Sequence, residues 1–396
     1  MIQRDASFYD VIAYGLPNGD YQAFVDNFLV SKYNILNVDG FPWDPIIQLD
    51  FTYEQLLAEL NIATLPTYVD VDSPAPYKMQ DEFRIGTNKI PRFKHGFAIN
   101  EKLIREKMIM AQQFGKASIT PTLALEMRDL LFDSTEKLIR GNHNALTYQR
   151  MQVVSTGQYS ITADNNPEGI IGLTFDFGIP AANKETLTTT SRWWTTTAHI
   201  TTNEGPNSDP IKDLQDWKKA ATKRGIPVGH FEMSLDLWDD MLTHTAVLKR
   251  IGALMYPMAT MDTTSQTAIQ VARNASDDLL KNNIERLVGC PIIVRDTMAA
   301  VEKINKTTKV KERYTLPGFD LKNVSYVPNG QIGTIKAVVP LVVPDPGARF
   351  AYYDGNRTVL TQTFNSQTKT QYIESECTAL VVPSAANFMC IYTVTA

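Results

Sequence analysis

Cysteine, histidine and long apolar runs are all scarce in this 396-residue chain. The three cysteines, Cys290, Cys377 and Cys390, are too few and too scattered for a disulfide framework or a zinc site. Each stands among apolar neighbours, so buried thiols in a reducing compartment are expected. Five histidines, His95, His143, His199, His230 and His244, include no pair at ligand spacing, which argues against a resident metal. The most apolar late stretch, residues 337–344, is broken by proline and is far shorter than the roughly 18 residues of a spanning helix. At the start, Met1-Ile2-Gln3-Arg4-Asp5 puts an acid where a secretory signal needs its apolar core, so neither export nor a membrane is implied. A basic excess is missing too: 38 Lys and Arg against 43 Asp and Glu give a formal charge of -5. Any contact with DNA must then be local or weak.

The motifs of common chemistries are also absent. Gly115-Lys116 lacks the earlier glycine and the hydroxyl residue of a P-loop, and no Gly-x-Ser-x-Gly elbow or zincin helix occurs. Asp176-Phe177-Gly178 matches a kinase tripeptide without the other kinase motifs, so it is coincidence as chemistry. Asp239 and Asp240 lie about 100° apart on a helix and cannot share a proton. Asp70 and Asp72 share a strand face but have no third ligand for a metal. No catalytic residue, cofactor or metal is expected.

What the chain does hold is an ordinary globular composition, 43% hydrophobic and 20% charged, enough for two or three domains. Its longest helical pattern starts at Thr120-Pro121 and carries Leu123, Met127, Leu130, Leu131, Leu138, Ala145 and Tyr148 at three- and four-residue spacing. That is roughly ten turns, about 50 Å. Gly157 ends it, and Tyr159–Thr162 and Ile170–Phe175 read as a hairpin. Inside the helix, Gly141-Asn142-His143-Asn144 are four poor helix formers in a row, readable either as a break between two helices or as a bend point.

Residues 1–60 look like an arm, with Tyr21, Phe24, Val25, Phe28 and Leu29 forming a narrow apolar stripe that needs a surface, in this chain or another. The capping box Thr52-Tyr53-Glu54-Gln55 predicts a second helix burying Leu56, Leu57 and Leu60. From Ile62 to Asn100 the chain reads as two edge strands, residues 63–72 and 89–94, in a long projecting hairpin with Lys78, Arg84, Lys89, Arg92 and Lys94 among its acids. Residues 182–207, rich in threonine and containing Trp193-Trp194, read as exposed loop or short strand. Residues 210–295 alternate helix and strand: Asp209-Pro210 starts one helix, Ser234 caps another, and Gly289 ends a third. The last hundred residues are mostly strand and turn, including a strand-turn-strand around Asn329-Gly330.

The order of these features resembles the lambda gpE-like major capsid proteins of tailed bacteriophages. The likeness rests on the long helix ending Thr156-Gly157-Gln158-Tyr159-Ser160-Ile161 and the strand finishing Asp176-Phe177-Gly178. It continues through the helix from Pro210 to Gly225 with Trp217, the Met233-Ser234 step with Trp238, Val327-Pro328-Asn329-Gly330 with Ile332-Gly333-Thr334, and the final strands around Pro383. The resemblance implies an α+β chain of HK97-type fold. Its parts would be an N-terminal arm (1–60), an E-loop (61–100), a P-domain with spine helix (101–178 and 345–396) and an A-domain (179–344).

The implied function is a non-enzymatic major capsid protein that self-assembles into hexamers and pentamers of an icosahedral head around double-stranded DNA, in the cytoplasm of a bacterial host. No long helical scaffolding segment precedes the arm, so a separate scaffolding protein is implied, with a portal and, as a possibility left open, a decoration protein. The arm stripe, the five E-loop cations and Gly141 are the candidate assembly residues. A cytoplasmic α/β enzyme with a long lid, and a phage tail or receptor-binding component, stay open as alternatives.

Overall fold

The computed structural model describes residues 38–58, 83–100, 121–255, 266–342 and 348–396, except 306, 309, 366, 368 and 369, together with Gln22, Val25, Asp26, Lys102 and Glu106. The chain forms two compact units. Met1–Tyr53, Lys89–Thr147 and Ile335–Val381 make the first; Glu54–Asn88, Tyr148–Thr334 and Val382–Ala396 make the second.

Strands β1 (Thr52–Ala58) and β2 (Phe83–Lys89) pair as a two-stranded sheet of their own. The helix predicted from the capping box is therefore a strand. A helix of seven residues, about two turns, is marginal in isolation, and a ladder with β2 satisfies the same backbone groups. The strand predicted over residues 63–72 lies outside the described residues. Pro91, with no N–H to give, ends the β2 ladder. Beyond it β3 (Arg92–Ile99) joins a different sheet, so the predicted strand 89–94 is divided between two.

Helix α1 (Pro121–Thr156) starts and stops where its sequence predicts and runs without a break through Gly141-Asn142-His143-Asn144. At its end Gly157 adopts φ 77°, a conformation that only glycine takes freely, and its N–H donates to Val153 O at 2.9 Å. The next orphan carbonyls are met from far along the chain: Ser325 Oγ donates to Val154 O at 2.7 Å and Asn323 Nδ2 to Ser155 O at 3.0 Å. The expected hairpin follows as β4 (Gln158–Ile161) and β5 (Leu173–Asp176), antiparallel, with Asn165 and Asn166 side chains bracing its turn.

The second unit continues with β6 (Lys184–Thr186), α2 (Pro210–Lys223), β7 (Gly229–Ser234), α3 (Leu235–Thr243), α4 (Thr245–Met255), α5 (Gln266–Arg273), α6 (Asp277–Val288), β8 (Ile292–Arg295), the hairpin β9 (Met298–Ile304) and β10 (Lys311–Pro317), and β11 (Asn323–Pro328). Local signals held well in this stretch. Asp209 accepts from Lys212 N at 3.1 Å, Ser234 accepts from Leu237 N at 3.2 Å, and Gly289 closes α6 at φ 74°. Helices α4 and α5 carry no comparable punctuation and were not predicted. They meet where a Cβ on Gly252 would fall 1.9 Å from Ala268 O, a backbone approach that needs glycine.

The remaining strands are β12 (Thr334–Ala337), β13 (Ala348–Tyr353), β14 (Thr358–Asn365), β15 (Thr370–Val382) and β16 (Cys390–Thr393). In the first unit they form the order β12-β15-β14-β13, with β3 also on β15. In the second unit the order is β6-β16-β11-β7-β8. The predicted strand-turn-strand at Asn329-Gly330 is thus no hairpin, since β11 pairs with β7 and β16 while β12 pairs with β15. The terminal strand β16 lies inside the second unit's sheet.

Trp193 and Trp194 are fully buried, which corrects the exposed-loop alternative for their segment, while β6 within it is the short strand of the other alternative. They sit in one core cluster with Trp217, Trp238 and Tyr392, and Trp217 stacks on Tyr392 with ring centroids 4.0 Å apart. The Trp193 indole donates to Asp213 Oδ2 at 3.0 Å, and burial pushes that carboxyl up to about 6.

Candidate assembly surfaces

The arm touches its own chain where it can be followed. Gln22, Val25 and Asp26 are helical and Val25 is fully buried. The Gln22 side-chain amide donates to Tyr352 O at 2.7 Å and accepts from Tyr352 N at 2.6 Å, so it occupies part of the edge of β13 as a strand would. Tyr21, Phe24, Phe28 and Leu29 lie outside the described residues, as does Lys78. Arg84 is in β2, and Lys89 at its end is exposed.

Arg92 and Lys94 have partners within the chain. They project from the same face of β3, two residues apart, and Arg92 bonds Glu376 while Lys94 Nζ lies 2.6 Å from Glu374 of β15. Both pairs are diagonal, because the Cα register sets Arg92 opposite Thr378 and Lys94 opposite Glu376. Each cation keeps about half its surface in solvent, at 52% and 51%. The sequence places these cations on the strand correctly but cannot show that the anions come from 280 residues downstream.

Gly141 faces β3 as well. A Cβ there would lie 2.6 Å from His95 Nε2, so the absence of a side chain leaves room for the His95 ring. Burial pulls the His95 pKa down, against a bond to the Leu138 backbone that raises it. One residue on, Asn142 Nδ2 donates to Tyr353 Oη and Ser375 Oγ, each at 2.6 Å. These two positions explain why a weak helical tetrad is nevertheless helical: its polar and small side chains are spent on β3, β13 and β15.

The second unit holds a buried charge cluster that sequence reasoning missed. Arg150, in the last two turns of α1, meets Glu232 of β7 bidentately at 2.5 and 2.6 Å, and the two side chains are 1% and 0% exposed. Arg295 adds contacts at 3.0 and 2.8 Å, and His230 Nε2 lies 3.0 Å from Oε1. Burial alone would raise the Glu232 pKa, but the Arg150 charge and the bonds from His230, Arg150 and Arg295 hold it well below 4.5. The signal was present as a glutamate between Phe231 and Met233 in a strand that reads as buried, which demands a cationic partner.

A second relay links Asp240 to His199 Nδ1, and His199 Nε2 to Thr395 Oγ1 at 3.1 Å. Its order is that of a base and an orienting acid, yet Thr395 is 2% exposed and its hydroxyl also donates to Trp194 O at 3.3 Å. The relay thereby holds the C-terminal segment on Trp194. No group of three or more metal-binding side chains occurs among the described residues, and no helix among them is long and apolar enough to cross a membrane. Large apolar side chains remain in solvent on the β4–β5 hairpin, where Ile170 is 69% and Ile171 54% exposed, and at Ile46, Leu49 and Leu341.

A separate two-stranded sheet, a 36-residue helix and two strand-built units make an α+β architecture. The family described as phage major capsid protein E matches residues 44–286, and the chain belongs to that family of structural capsid proteins. As a member of that family it is a protein of the virion capsid, and it associates with itself into a shell. None of the curated proteins matches the sequence. Among solved structures it is similar to a phage-related protein of Bordetella bronchiseptica RB50 at 12% identity and TM-score 0.48, over 94% of this chain and 96% of that one. A prophage protein of Escherichia coli CFT073 assigned as a capsid protein gives 13% and 0.49 over 94% and 98%, and the mature capsid of bacteriophage PhiM1 gives 8% and 0.41 over 92% and 89%.

Proposed function

We propose that the chain forms hexamers and pentamers that close into the icosahedral head of a tailed phage around double-stranded DNA, with assembly in the host cytoplasm. The observation that carries this is the family match across residues 44–286, the span that holds the β1–β2 hairpin and all of α1. In this reading 1–60 is the arm, 61–100 the E-loop, 101–178 and 345–396 the P-domain with α1 as its spine, and 179–344 the A-domain. The exposed Ile170 and Ile171 are surface that neighbours would cover, worth about 25 cal/mol per Å² before ordering costs. A separate scaffolding protein and a portal complete assembly, a decoration protein is an optional addition, and the -5 charge keeps contact with packaged DNA weak. The chain's role is structural and not enzymatic.

Expression alone and with a scaffolding protein, followed by sedimentation velocity and negative-stain microscopy, tests the reading. Rings or closed shells are expected; a stable monomer at high concentration under both conditions would overturn it. Removing residues 1–34 should leave a folded body that forms no stable shells, and normal particles from that truncation would refute the role given to the arm. Gly141 is proposed as the point where the spine bends during shell expansion. Because alanine there also meets His95, the expansion assay belongs in a His95→Ala background, and unchanged expansion would remove the idea.

A further inference from the structure

The β9–β10 hairpin is basic in an acidic protein. Between Val301 and Arg313 five Lys or Arg residues stand against two Glu, while the whole chain carries -5. Its strands pair in unbroken register from Met298 opposite Pro317 to Ile304 opposite Lys311. At about 3.3 Å per residue this carries the tip roughly 20 Å from the base. Gly318 N closes the base on Thr297 O at 2.8 Å, and Tyr314, part-way along, bonds Asp164 O. Beyond Tyr314 the described residues of the ribbon are mostly exposed: Lys303 and Lys311 are in solvent, with Ile304 43% and Val310 59% exposed beside them.

The same unit carries a surface of opposite character. Asp236 and Asp239 of α3, Asp277 of α6 and Asp296 after β8 are exposed, and Leu279 of α6 is 44% exposed among them. Burial, then the charges of Asp277, Asp236, Asp240 and Asp296, raise the Asp239 pKa, so these carboxylates crowd one another in the isolated chain. Asp296 sits at the foot of the hairpin. At about 3.3 Å per residue the seven-pair ladder sets the tip roughly 20 Å from its foot beside Asp296.

We infer that the basic tip of the β9–β10 hairpin docks on the acidic α3–α6 face of a second copy of this chain, as a head-to-tail contact around a ring. Two different, complementary patches on one chain make a heterologous interface, the kind that closes rings. The exposed Ile304 and Val310 beside the lysines match the exposed Leu279 beside the aspartates, which suits a protein surface better than a phosphate backbone. The inference rests on the self-assembly reading.

Charge exchange on the full chain tests it. Lys303→Glu with Lys311→Glu, and separately Asp239→Lys with Asp296→Lys, should each cut the assembled fraction by at least about tenfold at fixed protein concentration. All four together should restore assembly to near the parent's. Circular dichroism on each variant, and the milder Lys303→Gln with Lys311→Gln, which should weaken assembly in proportion, guard against simple misfolding. Either reversal assembling normally would overturn the inference, as would a fourfold variant that folds but stays unassembled. Normal shells that lose DNA would assign the hairpin to nucleic acid and overturn it too. Failure of the parent to assemble would count against the capsid reading itself, a separate result.

Discussion

Replacing Glu232 by Gln keeps the shape of the buried cluster and removes the carboxylate that Arg150, Arg295 and His230 share. Arg150 is 1% exposed and would be left as a cation whose bidentate partner is gone, with Arg295 and His230 losing the same acceptor. Breaking a buried pair from one side costs about 3–5 kcal/mol, because the surviving charge stays desolvated. Against a total stability of about 5–15 kcal/mol this is a large share. Arg295→Gln removes a partner whose side chain is 14% exposed, so about 1–2 kcal/mol is expected there. Urea unfolding of the dissociated chain by tryptophan fluorescence suits the question, since Trp193, Trp194, Trp217 and Trp238 all lie in the second unit with the cluster. The effect has a pH signature. Glu232 titrates lower in the folded chain than its ordinary 4.5, so its contribution is present above about that pH and is lost as pH falls through the folded value. The gap between parent and Glu232→Gln should therefore close on acidification. A variant within about 1 kcal/mol of the parent at pH 7, or a gap that widens in acid, would refute the account.

Further consequences follow from particular contacts. Gly141→Ala should destabilise by about 1 kcal/mol, the 2.6 Å encounter with His95 outweighing the gain in helix propensity, and in a His95→Ala background the same change should instead stabilise; thermal melts of the two pairs decide it. Gly252→Ala should cost several times as much, on the order of 3 kcal/mol, because its Cβ would strike backbone at Ala268 O that no rotamer can move away; a melt unchanged from the parent would contradict the α4–α5 contact. Arg92→Gln and Lys94→Gln, at half-exposed ion pairs, should each cost less than about 1 kcal/mol and the cost should fade in high salt; a loss of shell formation with the fold intact would show that the two cations act between subunits instead.

The sequence by itself determined what lies within a few residues. The limits of α1, the caps at Asp209 and Ser234, the glycine end of α6 and the β4–β5 turn all depend on side chains acting on nearby backbone, and they could be read in place. The order of those signals was also enough for the capsid family. What tertiary structure alone decided were partnerships across the chain. The segment after Thr52 became strand because β2 offered a ladder; Trp193 and Trp194 entered a core whose other walls come from α2 and β16; Arg92 and Lys94 found Glu376 and Glu374. Of the candidate assembly residues, helix was legible for Val25 and Gly141 and strand for Arg92 and Lys94, whereas Arg84, read in the segment joining two strands, lies in β2; the Gln22 edge contact, the His95 ring and the β9–β10 hairpin were not legible. A cap is decided by its own backbone, whereas a ladder, an ion pair or a core contact needs both halves present, and here those halves are up to about 330 residues apart.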